Sequence, residues 1–368
     1  MMTHASHSRA SKRSRGLSLI ELMIALLIGL MLIAGAIQIF LGTSQTYRLH
    51  EGMSRVQENV RFGMETMQRD VRMAGFTGCA RNLFNWLDPD GSEYSDALMG
   101  GMPVAGWEFS NTGPGDSYTL GTTGSWTNGA GEALSATIAD AARPGSDVLV
   151  LNRAERLDVT LSGNPSPPAN TINTDGASGI PQGTIIAAVT ATCSGGDIWQ
   201  KTNQGTAVSL PKGVGGNPGN ITPDGGFSQV YDNNASIYEW VSVAYFIGTG
   251  ANGEPALFRQ RVGGAGAPTG GWPQEELVEA VENMQVLYGV DTNNNKSANQ
   301  YITAADVTDW DQVVSVRLSL LMASGDRVNS QAESRTHTLL GTQIDRDQAD
   351  RRIRQVATTT IGLRNRLD

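Results

Sequence analysis

At 368 residues the chain is long enough to bury a substantial core, as one large domain or two ordinary ones. Its 44 glycines and only 17% charged residues argue against a helical bundle and for a loop-rich β head. The net charge of −9 lacks the basic footprint that nucleic acid binding requires. Four basic residues fall within the first 16, so the chain after Gly16 carries −13, as suits a solvated extracytoplasmic surface.

Residues 1–16 hold Arg9, Lys12, Arg13 and Arg15 and no acid, and Gly16 closes this basic leader. Leu17–Leu41 follows, almost continuously apolar, with Glu21 its single charge. A secretory signal is one reading, with Ala34-Gly35-Ala36 as its cleavage site, but the apolar run is too long for it. A plain membrane anchor fits the length and would keep the basic leader cytoplasmic. Neither accounts for Glu21, since a carboxylate inside a membrane span is costly and marks a function or a partner.

The arrangement Arg15-Gly16, then Leu17-Ser18-Leu19-Ile20-Glu21-Leu22, resembles the processing site of type IV prepilins. The resemblance implies cleavage after Gly16 by a membrane peptidase and methylation of the new N-terminus at Leu17, where family members often carry Phe. It implies that Glu21, the fifth mature residue, pairs with a neighbouring subunit's N-terminal amine. An acid near a helix N-terminus also favours the helix dipole without any partner.

Helix is predicted to continue past the membrane, because no proline occurs between Leu17 and Phe76. Leu49, Met53, Val56, Val60, Met64, Met67 and Val71 form an amphipathic stripe, with Arg55, Glu58, Arg61, Glu65, Arg69 and Arg72 opposite. Gly29, Gly35, Gly42, Gly52 and Gly63 interrupt it, either as weak points or as sites of close packing. The chain therefore reads as a leader (1–16), an apolar helix (17–41), its amphipathic continuation (42–75) and a β-rich head (76–368).

In the head, residues 76–146 read as loops and short strands holding Trp86, Trp107 and Trp126. Strands are predicted at Asp147–Arg153, Thr184–Thr190, Ser236–Ile247, Ala256–Val262, Gln312–Met322 and Val356–Leu363, with the third and fourth pairing as a hairpin. In Gln312–Met322, Val314, Val316, Leu318 and Leu320 should share one face. Glu275–Leu287 is expected to begin as helix and end as strand, and Ser162–Gln182 and Gly195–Gly226 read as loops. The fold class is α+β, a long N-terminal helix followed by an antiparallel, pilin-like sheet head.

Chemistry is sparse. Cys79 and Cys193, in an exported chain, read most simply as one disulfide; two free buried thiols are the alternative. A bridge closing about 115 residues would contribute roughly 4–5 kcal/mol in the chain-entropy model. No Gly-x-Ser-x-Gly, P-loop or dinucleotide motif occurs, the carboxylates suggest no dyad, and His337 reads as a half-buried strand residue, so no catalysis and no cofactor are expected. Asp291, Asn293, Asn295 and Ser297 alternate like the early ligands of a calcium loop. Against that, Lys296 stands at the glycine position and Ile302 where a bidentate glutamate belongs. Asn-rich loops of this kind are ordinarily turns.

Several head segments resemble PilW-family minor pilins: Glu58–Met64, Arg69–Phe76 with Gly78-Cys79, Val281–Asp291, Val307–Trp310 with the next strand, and Thr358–Arg366. The resemblance implies a structural protein held in the bacterial inner membrane, with its N-terminus cytoplasmic and head periplasmic, and later placed at the pilus tip. Implied partners are the prepilin peptidase, other minor pilins, the major pilin, a large tip adhesin, the inner-membrane assembly platform and membrane lipid. A minor pseudopilin of a type II secretion system shares the same plan. An adhesive tip module, using exposed tryptophans, is a further alternative, although buried core tryptophans are the simpler expectation.

Overall fold

A computed structural model describes residues 16, 18–91, 94–162, 169–222, 226–262 and 274–367; the leader before Gly16, and Leu17, lie outside the described residues. One helix, α1, runs without a break over Leu19–Met73. The chain forms two compact units, Met1–Glu51 and Gly52–Asp368. The first is the apolar part of α1, whose large side chains stand open: Leu30 is 73% and Phe40 71% exposed. Each such side chain left in water forgoes about 1.5–3 kcal/mol, so this surface belongs in lipid or against other subunits. The helix is long and apolar enough to cross a membrane.

In the second unit the amphipathic stripe settles as its period predicts. Val56, Met64, Met67 and Val71 are buried, while Arg55, Glu58, Arg61, Glu65, Arg69 and Arg72 are exposed. Met53 departs from the stripe at 44% exposure, because Gly52 takes the packed position beneath the Val328 side chain. Gly63 lies against Val278 and Leu257 in the same way. These two glycines serve close packing, whereas nothing lies within 4 Å of where a Cβ would stand at Gly29, Gly35 or Gly42.

The principal strands are β1 (Val104–Phe109), β2 (Val148–Arg156), β3 (Ile185–Val189), β4 (Gly196–Gln200), β5 (Ser236–Thr249), β6 (Pro255–Val262), β7 (Gln274–Glu279), β8 (Val281–Val290), β9 (Val313–Ala323) and β10 (Arg354–Gly362). A nine-stranded sheet is ordered Leu83–Asn85, β4, β3, β5, β2, β1, Trp126–Thr127, with β6 added to β5 and β7 to β6. A four-stranded antiparallel sheet is ordered Gln300–Ile302, β8, β9, β10. The buried side of α1 shares one core with both, through Leu257, Val278, Met284, Val286, Val316 and Leu318.

The predicted hairpin is present, with Phe246 opposite Phe258. In β9, Val314, Val316, Leu318 and Leu320 are buried on one side as expected, but Ser315 and Ser319 on the other side are buried too. Two expectations need correction. Glu275–Leu287 does not begin as helix: it forms β7 and β8, separated at Ala280, whose φ is +57°. Cross-strand pairing of Arg259 with Glu275, 2.7 Å apart, overrides the local helix preference. The stretch read as loop at 195–226 contains β4, wholly buried, and the short strand Ser209–Pro211, which pairs with Thr171–Asn173. The head is not uniformly antiparallel, since Leu83–Asn85 runs parallel to β4 and Thr342–Asp345 parallel to Ser117–Thr119.

Candidate functional site

The helix begins at Leu19, three residues after Gly16. Gly16 is exposed, and the Ser18 carbonyl accepts the N–H groups of Glu21 and Leu22 at 3.0 and 3.1 Å, so Glu21 lies in the first turn. Its carboxylate is exposed and, among the described residues, has no ion-pair partner in its own chain. A charge set in an apolar helix with no partner of its own is complementary to a cation from outside the chain.

A second region joins the end of α1 to the head. Asp70 lies on the buried side of α1 at 7% exposure, between Met67 and Val71. Tyr245 Oη donates to its Oδ2 at 2.5 Å, and Arg259 Nη1 stands 3.6 Å from the same oxygen. Burial first, and then the Asp70 charge, push the Tyr245 phenol far above its ordinary range, so the hydroxyl remains a donor. The helix then stops. Gly75 adopts φ +73° and donates its N–H to Asn152 O at 2.8 Å, and a Cβ there would stand 2.8 Å from Pro103 Cβ. Phe76 O accepts the Ala154 N–H at 2.6 Å, which extends the chain beside β2. At Gly78, φ +78°, a Cβ would meet Tyr238 Oη at 2.8 Å. Asn365, in the C-terminal helix Arg364–Leu367, donates to Ala74 O at 3.0 Å and so ties the last turn of α1 to the C-terminus.

Cys79 and Cys193 form the expected disulfide, with Cα atoms 5.2 Å apart. Both cysteines are exposed, which removes the reading as buried thiols. The bridge pins the strand entry after α1 to the β3–β4 turn, where Cys193 adopts φ +58°.

The loop Asp291–Ser297 is organised as a capped turn. Asp291 Oδ1 accepts the N–H groups of Asn293 and Asn295, and Oδ2 accepts that of Lys296 at 2.6 Å. Asn294 and Lys296 adopt φ near +60°, and the Asn295 side chain caps Ser297 N–H. Although burial pushes the other way, these amides hold the Asp291 carboxyl below its ordinary range. The donors converge on the carboxylate and account for Asp291, Asn293 and Asn295 as turn formers. Among the described residues no group of three or more His, Cys, Asp or Glu is placed to hold a metal.

Trp86 and Trp107 are buried, and Trp126 is half-buried. Their indole N–H groups are satisfied by Asp197 Oδ1, Glu132 O and Ser146 O. They are core residues, which removes the observation behind an adhesive surface built on them. His337 is half-buried at the start of the strand His337–Leu339, as anticipated.

Sequence reading did not find the partner of Asp70, although its place within the apolar stripe was a usable signal. It also found no carboxylate pair, yet the fold brings Glu108 and Asp147 together in the interior, 39 positions apart in sequence.

An apolar N-terminal helix that becomes amphipathic and packs beneath a β-rich head defines a pilin-type subunit. Residues 11–37 match the prokaryotic N-terminal methylation motif, and residues 244–365 match the family of the type IV pilus-assembly protein W, PilW. The two matches together support a PilW-type pilin with a prepilin leader. The second match runs from the end of β5 through β10 to the first half of the C-terminal helix, and so includes the four-stranded sheet that packs with α1. No curated protein and no solved structure matches the chain.

Proposed function

We propose that this pilin is a minor subunit of an initiating complex that primes type IV pilus assembly and forms the pilus tip. The observation that carries the reading is the pairing, in one chain, of a prepilin methylation motif at 11–37 with a PilW head at 244–365. The chain enters the inner membrane with its leader cytoplasmic and its head periplasmic. The prepilin peptidase cuts between Gly16 and Leu17 and methylates Leu17. Glu21 then accepts the N-terminal amine of an adjacent subunit, a pairing that offsets the cost of a carboxylate in hydrocarbon. The head meets other minor pilins and, through them, the major pilin and a large adhesin, while the assembly platform extracts the subunit from the lipid. Its role is structural, and it needs no cofactor.

The test has two parts. The mass and N-terminus of the protein from its native membrane should show a chain beginning at Leu17 with one added methyl group; a start at Ile37, or an intact leader, would refute prepilin processing. Glu21→Ala should still be cleaved but should co-purify poorly with the other minor pilins and fail to restore piliation. Wild-type recovery of both would remove the pairing role.

A further inference from the structure

Glu108 and Asp147 meet where β1 pairs with β2. The register runs from Val104 opposite Leu151 to Trp107 opposite Val148. One further antiparallel step sets Glu108 against Asp147, a position at which Cβ atoms lie about 4.5–5.5 Å apart. Both are interior, at 6% and 1% exposure. Asp147 has each oxygen engaged: Oδ1 accepts the Phe109 N–H at 3.2 Å, and Oδ2 accepts the Val286 N–H at 2.8 Å. Because Phe109 belongs to β1 and Val286 to β8, this one carboxyl ties the two sheets together. Glu108 Oε1 accepts the Thr112 hydroxyl at 3.0 Å, whereas Oε2 is buried with no donor. The side chain that Glu108 meets across the ladder is Asp147. The ionisable groups that act most strongly on the pair are acidic or phenolic: Asp116, Asp306 and, on β8, Tyr288, whose buried hydroxyl is also unbonded.

We propose that Glu108 and Asp147 share one proton, held on Glu108 Oε2 and donated to the Asp147 carboxylate, and that this bond is a pH-sensitive latch on the seam between the two sheets. Two ionised carboxylates directly opposite one another in a dry interior repel, and among the described residues neither forms an ion pair that would offset the loss of water. A proton on Glu108 removes one charge, satisfies the orphan oxygen and leaves Asp147 free to accept both backbone N–H groups. Asp147 suits the acceptor role because protonating it would set an O–H against an N–H donor. Raising the pH transfers that proton to solvent and leaves two facing carboxylates, which push β1 from β2 and strain the bond to Val286.

The direction follows from linkage. Burial, the largest influence on each, pushes both carboxyls upward, Glu108 to about 7 against the pull of the Thr112 hydroxyl, and the Glu108 charge pushes Asp147 further in the same direction. The folded head therefore binds more protons than the unfolded chain above the ordinary glutamate value of 4.5. Stability is greatest below that value and declines as pH rises through about 7.

The experiment compares thermal unfolding of the full chain in detergent, wild type against Glu108→Gln, from about pH 5 to about pH 8. Glutamine reproduces the protonated donor and does not titrate. The wild type should lose roughly 5–10 °C of melting temperature over that interval, from a shift of this size in a domain of this length. Glu108→Gln should be nearly flat and should exceed the wild type at the alkaline end. Parallel curves would overturn the proposal. Should the variant not fold, infrared spectroscopy of the wild type near pH 6 decides, because the latch requires a protonated carboxyl band that disappears as pH rises; its absence would overturn the idea. A melting temperature raised by calcium at fixed pH in the wild type, but not in the variant, would put a cation where the proton is assigned and would equally overturn it.

Discussion

Tyr245 Oη donates to Asp70 Oδ2 across 2.5 Å, joining the middle of the long strand β5 to the last turns of α1. The bond is buried and charge-assisted, and Arg259 stands behind it at 3.6 Å from the same oxygen. It lies in a largely apolar contact made by Met64, Met67, Val71 and Ala74, where Gln68 Nε2 also donates to Thr359 Oγ1 at 2.9 Å. Helix packing through apolar side chains tolerates small slips along the axis, whereas a directed bond to one carboxylate oxygen sets the register of helix on sheet.

Tyr245→Phe should therefore destabilise the head by about 1–3 kcal/mol, because it leaves Asp70 buried and short of a donor. Asp70→Asn should be milder, since an amide oxygen still accepts the phenol. Denaturant unfolding of the full chain in detergent measures both. An unchanged midpoint for Tyr245→Phe would mean that Arg259 alone satisfies the carboxylate.

Much of this arrangement was legible in the sequence, and the missing parts share a physical cause. The stripe from Val56 to Val71 and the alternation in β5 and β9 are local periodicities, set by the helical and strand repeats themselves. Gly75, Gly78 and Cys79 stood out within a family-like segment, and their positive φ values, close approaches and bridge explain why those residue types are needed there. Glu275 was misread because its partner Arg259 lies 16 positions away, across a strand pairing that no local pattern announces. The strand β4 was missed because Asp197 and Gln200 made it look polar. In the fold Asp197 accepts from Trp86, Ser228 and Tyr231, donors from two separate segments. Glu108 and Asp147 likewise meet only through register.

Gly75→Ala should cost more than the roughly 1 kcal/mol of a typical glycine replacement, because φ is +73° and a Cβ would stand 2.8 Å from Pro103 Cβ. Gly253→Ala is the control: φ is +80°, yet nothing lies within 4 Å, so only the backbone penalty applies. Melting temperatures of the two variants should separate clearly. Equal losses would show that Pro103 yields without cost and that conformation alone matters at Gly75.

Loss of the bridge offers a cleaner measure of stability than of contact, since both cysteines are exposed and little packing is removed with them. Cys79→Ser is expected to lower stability by about 2–5 kcal/mol, chiefly by freeing the 114-residue separation in the unfolded chain. Wild type treated with reductant should melt with the variant. A variant that melts at the oxidised wild-type temperature would contradict this.

Arg354 presents the most demanding geometry in the head. Its side chain is 4% exposed, and the guanidinium serves two carboxylates at once. Nε and Nη2 donate to Glu282 at 2.9 and 2.8 Å, while Nη1 and Nη2 donate to Asp350, each at 2.6 Å. Arg346 approaches Glu282 from another side, and the cluster binds the segment before β10 to β8. Although burial works against it, Arg354 holds the Asp350 carboxyl at about 2, below its ordinary 3.8. That contribution is full above the ordinary value and disappears as pH falls through about 2. A lysine keeps the charge but cannot reproduce two forks from one point. Arg354→Lys should thus destabilise by about 3–5 kcal/mol, as expected when a buried pair is broken, and should begin acid unfolding at higher pH than the wild type. Unfolding curves at neutral and acid pH test both parts. A lysine variant matching the wild type in each would show that charge, and not planar geometry, holds the cluster.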